Sequence, residues 1–404
     1  MQISGKKVRS DGLVYQIIPN LNDYLVSICI WVNFGSGDGG LWKNSEALVN
    51  IPSGAAHFIE HIVHNNILNN PLLKSGYECF AYTNLSGTYY KFICNKNNYI
   101  DIMRAFCEAI LIEDCRPVLE NIKSSVINEL LQRESNYRIK GLHELRKMLY
   151  ENHAVSNEVV GSIQSVHGIT NEEILSIKDY FYVPDLISVC MVGNIDYEKM
   201  EFFLENEFLI NRNKFTLKRH KIGTSYENNN DKISEIPSNY LTSIIGVKQD
   251  FKYSSPIKNI LIKNTIELLF EVITDEIEIK SGYKINEFNY TFGRDFNFFY
   301  CIVNQKINLE KVTEILDCAK DILDSRDREF YDYCKDKMKK RISRRSRNNV
   351  DLAQLVAWLL NNKIDYGTYL HLIDVVNPGI VANLLQSIRL EGNVAVVNYT
   401  QKYD

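Results

Sequence analysis

The same order of strand-like and helix-like segments occurs twice along the chain, and this repetition constrains the fold more than any other feature. In the first half, Leu25–Val32 has the β-branched and apolar composition of a strand, and Ala55–Leu68 has the apolar period of a helix. The second half repeats this order with a strand over 241–247 and a helix over 257–278. We therefore predict an α+β fold of two homologous domains, each a mostly antiparallel sheet with helices packed on one face.

A stretch without clear periodicity separates the two halves. Residues 214–237 contain a basic run that begins at Lys218 and an asparagine run that begins at Asn228. Such a change of composition is typical of an interdomain linker. The sequence thus predicts an N-terminal domain over 1–213, a linker over 214–237 and a C-terminal domain over 238–404.

Charge and hydropathy argue against two classes of partner. The 404 residues carry 46 Lys and Arg against 50 Asp and Glu, a formal net charge of −4, so no global positive field attracts nucleic acid. The most apolar run, residues 24–34, contains Ser27 and Asn33 and is too short to span a membrane, which takes about 20 apolar residues. We expect neither a nucleic-acid partner nor a membrane span.

The cysteines indicate a reducing compartment. The nine cysteines are odd in number and widely spaced, without a CxxC pair, which is typical neither of a disulfide framework nor of a zinc ribbon. No apolar segment follows the N-terminal lysines, so we see no signal peptide. The expected location is cytoplasmic.

The chemistry is concentrated in the helix predicted over Ala55–Leu68. His57, Glu60 and His61 stand at positions i, i+3 and i+4, so they share one helix face. Two imidazoles one turn apart can bind a single Zn²⁺, and the glutamate can act as general base in this H-x-x-E-H arrangement. A solvated polar face is the alternative, but the apolar residues around the three make it less attractive, since buried ionisable groups need partners.

A catalytic zinc usually has a third protein ligand. His64 is one candidate, but it lies about 10.5 Å along the helix axis from His57, too far to share the ion. Glu129 lies within an apolar helical run and needs a partner there. A metal would satisfy it, and so would a cap or a salt bridge, and the spacing leaves these alternatives open.

Several segments resemble the pitrilysin family (M16) of zinc peptidases. Residues 54–61 are similar to the family's G-x-A-H-F-L-E-H, and residues 126–130 match its V-x-x-E-[IL] helix. Further segments within residues 10–210 resemble the family and follow the same order along the chain. These segments are 35–37, 81–83 with 88–90, 161–170, and 182–184 with 192–196.

The resemblance implies a zinc-dependent endopeptidase for short or unfolded peptides. His57, His61 and Glu129 would bind one Zn²⁺ per chain, and Glu60 would be the general base. The strand with Ala81, Tyr82 and Thr83 would pair with an extended substrate peptide. The length resembles that of one subunit in the dimeric, processing-peptidase-like branch of the family. By analogy with that family, the enzyme would remove a leader from a peptide precursor.

Departures from the family pattern leave other interpretations open. Ile122 stands where the family often has a second glutamate, and Phe80 replaces an asparagine. The second half lacks the arginine that precedes a tyrosine in the family's second domain. Tyr283 and Tyr290 are candidates for that tyrosine, but no neighbouring motif distinguishes them. A related subunit could supply these groups in a heterodimer, with a homodimer as the other arrangement. The alternatives are a non-catalytic scaffold or peptide-binding subunit, and a metal-free peptide binder.

Overall fold

The computed structural model describes residues 5–43, 47–73, 75–208, 218–219, 231–238, 242–248, 255–293, 296–388, 390 and 392–400. The chain forms two compact units, each assembled from segments of both halves of the sequence. Unit 1 comprises Met1–Leu131, Glu158–His220 and Ser343–Tyr366. Unit 2 comprises Gln132–Asn157, Lys221–Ile342 and Gly367–Asp404.

The described strands of unit 1 come first in the chain. They are β1 (Lys7–Val8), β2 (Val14–Pro19), β3 (Leu25–Val32), β4 (Gly40–Lys43), β5 (Ala47–Asn50), β6 (Tyr77–Thr83), β7 (Thr88–Asn95), β8 (Ile187–Gly193) and β9 (Lys218–Arg219). Those of unit 2 are β10 (Lys232–Pro237), β11 (Ser243–Lys248), β12 (Ile285–Phe292), β13 (Asn297–Val303) and β14 (Val394–Thr400).

The described helices alternate with these strands. They are α1 (Ala55–Leu68), α2 (Tyr99–Ile110), α3 (Arg116–Glu134), α4 (Tyr137–Leu149), α5 (Ile163–Gly168), α6 (Asn171–Phe181), α7 (Tyr197–Asn206), α8 (Pro256–Ser281), α9 (Leu309–Asp324), α10 (Arg328–Arg345), α11 (Asn349–Asn361), α12 (Tyr366–Asp374) and α13 (Pro378–Ser387).

Each unit is organised around one main sheet. In unit 1 the strand order is β1-β2-β8-β3-β7-β6, and in unit 2 it is β10-β14-β11-β13-β12. Pairing is antiparallel except between β2 and β8 and between β10 and β14. A three-stranded sheet, β5-β4-β9, completes the described strands of unit 1. The predicted α+β fold with two sheets is confirmed.

Side-chain alternation along β3 divides the sheet of unit 1 into two faces. Ile28 and Ile30 join the hydrophobic core that α1 and α2 cover. The opposite face contacts α11, where Ser188 on β8 donates a hydrogen bond from its hydroxyl to the Ala357 carbonyl (2.7 Å). The second half of the chain therefore contributes a helix to the first half's sheet, which the sequence analysis did not predict.

The reciprocal exchange occurs in unit 2, where α4 from the first half packs on β11 and β14. Two glycines allow the close approach of helix and sheet. A Cβ atom on Gly141 would lie 2.7 Å from Ile244 Cδ1, and one on Gly246 would lie 2.7 Å from Leu145 Cδ2. A side chain at either position would push the helix off the sheet.

The linear boundary between 213 and 238 stays a prediction, since the compact units are discontinuous in sequence. Of the predicted linker, residues 214–217 and 220–230 lie outside the described residues, whereas Lys232–Pro237 form β10. Among the described helices, none has the length and apolar character needed to cross a membrane.

Candidate metal centre

The helix α1 carries the predicted site and is buried on nearly every side. Phe58, Ile59 and Ile62 are at most 1 % exposed, and His57 and Glu60 are only 6 % and 5 % exposed. Ionisable side chains at that depth are costly unless they are paired or bind a metal. Their burial therefore disfavours the solvated polar face that the sequence left open.

Two glycine backbones fix the start of α1. Gly54 is its N-cap residue, with φ of 86° and no capping side-chain hydrogen bond. A Cβ atom on Gly54 would lie 2.6 Å from the Val160 carbonyl oxygen, and one on Gly161 would lie 2.6 Å from that of Ser53. This contact explains why both glycines occur in segments that resemble the family.

Three potential ligand atoms converge beside α1. His57 Nε2 lies 3.1 Å from His61 Nε2 and 3.1 Å from Glu129 Oε2, and His61 Nε2 lies 3.5 Å from the same oxygen. Glu129 belongs to α3 and reaches these atoms from a distant part of the sequence. The structure thus brings together the three predicted ligands.

The spacing of these atoms fits a tetrahedral zinc site. Ligand bonds of about 2.0–2.1 Å at tetrahedral angles separate the donor atoms by about 3.3–3.4 Å. Two imidazoles and one carboxylate are also the donor set of many catalytic zinc sites. The residues present therefore fit Zn²⁺.

A grouping of His57, Glu60 and His61 within 4.8 Å also has metal-binding composition. In that grouping, however, Glu60 Oε2 lies 3.1 Å from Nδ1 of His57 and so on the side of the ring opposite Nε2. Glu129, which contacts Nε2, is the better third ligand.

Charges within the cluster stabilise one another. Burial lowers the pKa of His57, but its hydrogen bonds to Glu129 and Glu60 outweigh that effect and raise the pKa to about 9. Hydrogen bonds from His57 and His61 hold the pKa of Glu129 far below its usual range. The His57 ring therefore lies between two carboxyl groups, one at each ring nitrogen.

Glu60 is held by a second contact that sequence reasoning missed. The hydroxyl of Thr83 donates to Glu60 Oε2 at 2.9 Å and lies 3.1 Å from the hydroxyl of Thr88, which donates to the Phe34 carbonyl at 2.9 Å. The two threonines face each other across the β6–β7 hairpin. The available signals were the spacing of the two threonines around the turn and the resemblance of the segments 81–83 and 88–90 that contain them.

A glycine loop clamps this hairpin. The amide of Ser36 donates to the Asn84 carbonyl and that of Gly37 to the Leu85 carbonyl, at 3.0 and 2.9 Å. A Cβ atom on Gly35 would lie 2.4 Å from the Gly87 nitrogen, so only glycine permits the approach. The loop over 35–37, noted for its resemblance, thus holds the hairpin that carries Thr83.

The predicted substrate strand lies at an edge of the sheet. β6 pairs with β7 and is the last strand in the order, so its outer edge is unpaired among the described strands. Ala81 and the buried Thr83 side chain lie on the α1 side, and the half-exposed Tyr82 and Phe80 alternate with them. The geometry is that of a strand able to accept another strand.

Other residues from the sequence analysis lie apart from the cluster. His64 is not in the described metal-ligand grouping, and its buried Nε2 has no hydrogen-bond partner among the described residues. Ile122 is a core residue. In unit 2, Tyr290 is 1 % exposed and donates its hydroxyl to Asn259 Oδ1 at 3.3 Å, so that hydroxyl is already engaged.

Sequence comparisons find relatives for about half of the chain. An uncharacterised zinc protease of Mycobacterium leprae is 24 % identical over 221 residues, which are 50 % of this chain and 47 % of that protein. The uncharacterised zinc protease YmfH of Bacillus subtilis is 23 % identical over 197 residues, 47 % of this chain and 45 % of that protein. The chain spans about half the length of the curated relatives it matches. No protein-family model matches it.

Solved structures resemble the whole chain. A protein from Alicyclobacillus acidocaldarius assigned as an M16-like peptidase has a TM-score of 0.79 at 16 % identity, covering 99 % of both chains. An inactive M16 peptidase domain from Pseudomonas fluorescens has a TM-score of 0.76 at 11 % identity, covering 100 % of this chain and 98 % of that one. The periplasmic protease PqqL of Escherichia coli has a TM-score of 0.70 at 16 % identity, covering 99 % of this chain and 48 % of that one.

Proposed function

The chain has the fold of the M16 peptidases and resembles the pitrilysin family in the half that carries the site, and from this premise we propose that it is a zinc-dependent endopeptidase acting on short or unfolded peptides. The observation that carries the proposal is the triangle of His57 Nε2, His61 Nε2 and Glu129 Oε2, with separations of 3.1, 3.1 and 3.5 Å. These three residues would hold the ion. A bound Zn²⁺ supplies Lewis acidity, which polarises a carbonyl and lowers the pKa of water towards about 7.

Glu60 would be the general base. Its described hydrogen bonds, from His57 and Thr83, all involve Oε2. Oε1 is thus left to take a proton from the attacking water and to return it to the nitrogen of the departing amine. A carboxylate one turn after His57 and directly before His61 can reach the same peptide bond that the ion polarises.

The substrate would bind as an added strand on β6. An unpaired edge offers main-chain donors and acceptors in register, so affinity needs no particular side chain. A strand laid along Ala81, Tyr82 and Thr83 would direct alternate side chains towards α1 and away from it. This mode suits peptides that are short or unfolded, because a folded protein has no free strand to offer.

A non-catalytic scaffold or peptide-binding subunit is the second candidate, since the inactive domain from Pseudomonas fluorescens has the same fold. The donor set favours the enzyme. A relic without catalysis needs neither a base hydrogen-bonded at 2.9 Å by a buried threonine nor three ligand atoms within 3.5 Å of one another.

A dimer is part of the proposal. PqqL is about twice as long as this chain, which covers 48 % of it, so two chains of this size would match its length. The hydroxyl of Tyr290 is bonded to Asn259, which supports a partner subunit as the source of the missing carbonyl-polarising groups. Removal of a leader peptide and a cytoplasmic location remain predictions from the sequence.

The first test is the zinc content of the purified chain. We expect about one zinc per chain, lost in Glu129→Ala and retained in Glu60→Gln. Absence of zinc from the unsubstituted chain after zinc is added back would refute the metal centre.

The second test is cleavage of a mixture of unstructured peptides, followed by mass spectrometry. The Glu60→Gln variant should lose about 10²–10⁴-fold in rate, the usual contribution of a general base. Undiminished cleavage by that variant with its zinc intact would show that Glu60 is not the base.

A further inference from the structure

The hydroxyl of Thr83 has one hydrogen and two acceptors within reach. Glu60 Oε2 lies 2.9 Å from it and Thr88 Oγ1 lies 3.1 Å from it. Thr83 is 3 % exposed and Thr88 is fully buried, so water does not compete for the hydroxyl of either residue. The hydrogen of the Thr83 hydroxyl therefore bonds to a protein acceptor and not to water.

The neighbouring groups determine the direction of these hydrogen bonds. Thr88 donates its own hydrogen to the Phe34 carbonyl at 2.9 Å, and a carbonyl can only accept. The oxygen of Thr88 consequently remains available as an acceptor for Thr83. The Phe34 carbonyl ends the chain of hydrogen bonds Thr83–Thr88–Phe34.

We propose that Thr83 is a positioning residue for Glu60: its buried hydroxyl donates to Oε2 and, together with His57 Nδ1, holds the carboxylate so that Oε1 is left for proton transfer. The inference rests on the proposed function, because it assumes that Glu60 is the general base. A buried hydroxyl that does not exchange with water restricts the orientation of its acceptor more than a solvated one would.

The proton inventory is conserved at each step. The proton leaves the attacking water, joins Glu60 Oε1 and is later delivered to the nitrogen of the departing amine. The O–H bond of Thr83 stays intact throughout. Thr83 touches neither substrate nor metal through this hydroxyl, which acts solely through Glu60.

The backbone around Thr83 and Thr88 is held in place well enough for Thr83 to position Glu60. Thr83 and Thr88 are directly opposed in the ladder, and the loop over 35–37 is hydrogen-bonded to the turn between them. His57 Nδ1 contacts the same carboxylate oxygen at 3.1 Å. Two contacts on Oε2 fix the plane of the carboxylate and so the direction of Oε1.

The kinetic test compares Thr83→Val, which keeps the shape and removes the hydroxyl, with Thr83→Ser, which restores it. We expect Thr83→Val to lose about 10–100-fold in kcat with KM and zinc content unchanged, and Thr83→Ser to recover to within about 3-fold. A Thr83→Val enzyme with full kcat would overturn the inference. Loss of kcat in Thr83→Val together with no effect of Glu60→Gln would instead refute the proposed function.

A stability readout in the zinc-free protein separates the contact from activity. We expect Thr83→Val to lower the urea midpoint when Glu60 is present and to have a smaller effect after Glu60→Ala, because Thr88 is then the remaining acceptor for the hydroxyl. Additive shifts would show that Thr83 acts elsewhere. Thr265→Val in unit 2 is the matched control, because Thr265 is also fully buried but bonds a helix carbonyl, and its kcat should equal that of the wild type.

Discussion

Units 1 and 2 are built to the same plan. In each main sheet, the strand order of the five shared positions is first, last, second, fourth and third along the chain, which gives β2-β8-β3-β7-β6 and β10-β14-β11-β13-β12. In both, the first and last strands are parallel and a long helix packs on the edge strand. The helix α1 of unit 1 thus corresponds to α8 of unit 2.

The two helices differ in the polar groups beside the edge strand. On α1 these are His57, Glu60 and His61, whereas α8 contains no histidine. In unit 2, Asn259 accepts a hydrogen bond from Tyr290, and Lys263 donates to the carbonyl of the same tyrosine at 3.4 Å. One helix holds a metal-type donor set, and the other uses its polar groups to bind its own sheet.

The difference shows that the shared fold is sufficient for structure and that the chemistry depends on a few side chains. An edge strand beside a buried helix is present twice, yet among the described residues only unit 1 adds a third ligand, the Glu129 carboxylate of α3. Fold likeness alone would have assigned both units the same role. Matched substitutions in the two units therefore test whether changes at the metal site leave the stability of the fold unaffected, and the reverse.

The largest expected effect concerns zinc affinity. His61→Phe keeps a ring and removes a nitrogen donor, and we expect at least about 100-fold weaker zinc binding, since even outer partners of a ligating histidine contribute about 10–100-fold. Glu267→Gln on α8, which removes a charge paired with Lys263 at 2.7 Å, should leave the affinity unchanged. Competition with a chromogenic chelator measures both, and equal losses would contradict the assignment to α1.

A smaller effect is expected where α1 begins. Gly54→Ala should lower the free energy of unfolding by about 2–5 kcal/mol, because a left-handed alanine costs about 1–2 kcal/mol and overpacking about 1–3 kcal/mol. Gly168→Ala is the control, since its Cβ atom would meet nothing within 4 Å. Urea denaturation followed by circular dichroism distinguishes them, and similar midpoints would show that α1 tolerates a shifted start.

The buried tyrosine pair of unit 1 should give a non-additive result. Tyr90 and Tyr182 join their hydroxyls at 2.7 Å in the core. Tyr182→Phe leaves the Tyr90 hydroxyl unpaired and should cost about 1–3 kcal/mol of unfolding free energy. The double variant, with both hydroxyls removed, should be closer to the wild type than either single variant in the same urea experiment, and additive losses would contradict this explanation.

The smallest effect is expected at the start of α8. Ser255 caps this helix by accepting a hydrogen bond from the Lys258 amide, and Pro256 follows at the first helical position. Ser255→Ala should cost about 1 kcal/mol, the usual contribution of a cap. Its effect should be smaller than that of Gly54→Ala, and zinc content should not change. A larger loss than at Gly54 would reverse the ranking of the two helix starts.

Local pattern predicted the elements that carry the site. The strand Leu25–Val32 and the helix Ala55–Leu68 have the predicted bounds, since β-branched runs and apolar helical periods are local signals. Spacing along α1 also put His57, Glu60 and His61 on one face. Glu129 was a candidate because a lone carboxylate in an apolar run needs a partner.

Contacts between distant segments could not be predicted from the sequence. The bond from Thr83 to Glu60 joins a strand to a helix 23 residues earlier, and only the β6–β7 register reveals it. The exchanged helices α4 and α11 were also missed. An apolar helix such as α11, with Leu352, Val356 and Leu360 buried, indicates that something covers it but does not identify the sheet.

The exchange of helices has a consequence for the order of events during synthesis. The last strand of the unit 1 sheet, β8, ends at Gly193, but the helix that covers its second face, α11, begins only at Asn349. At the usual rate of translation, α11 is synthesised on the order of 10–30 s after β8, and the second face of the sheet stays uncovered during that time. We therefore expect the nascent first half to expose a largely apolar sheet face until α11 has been synthesised.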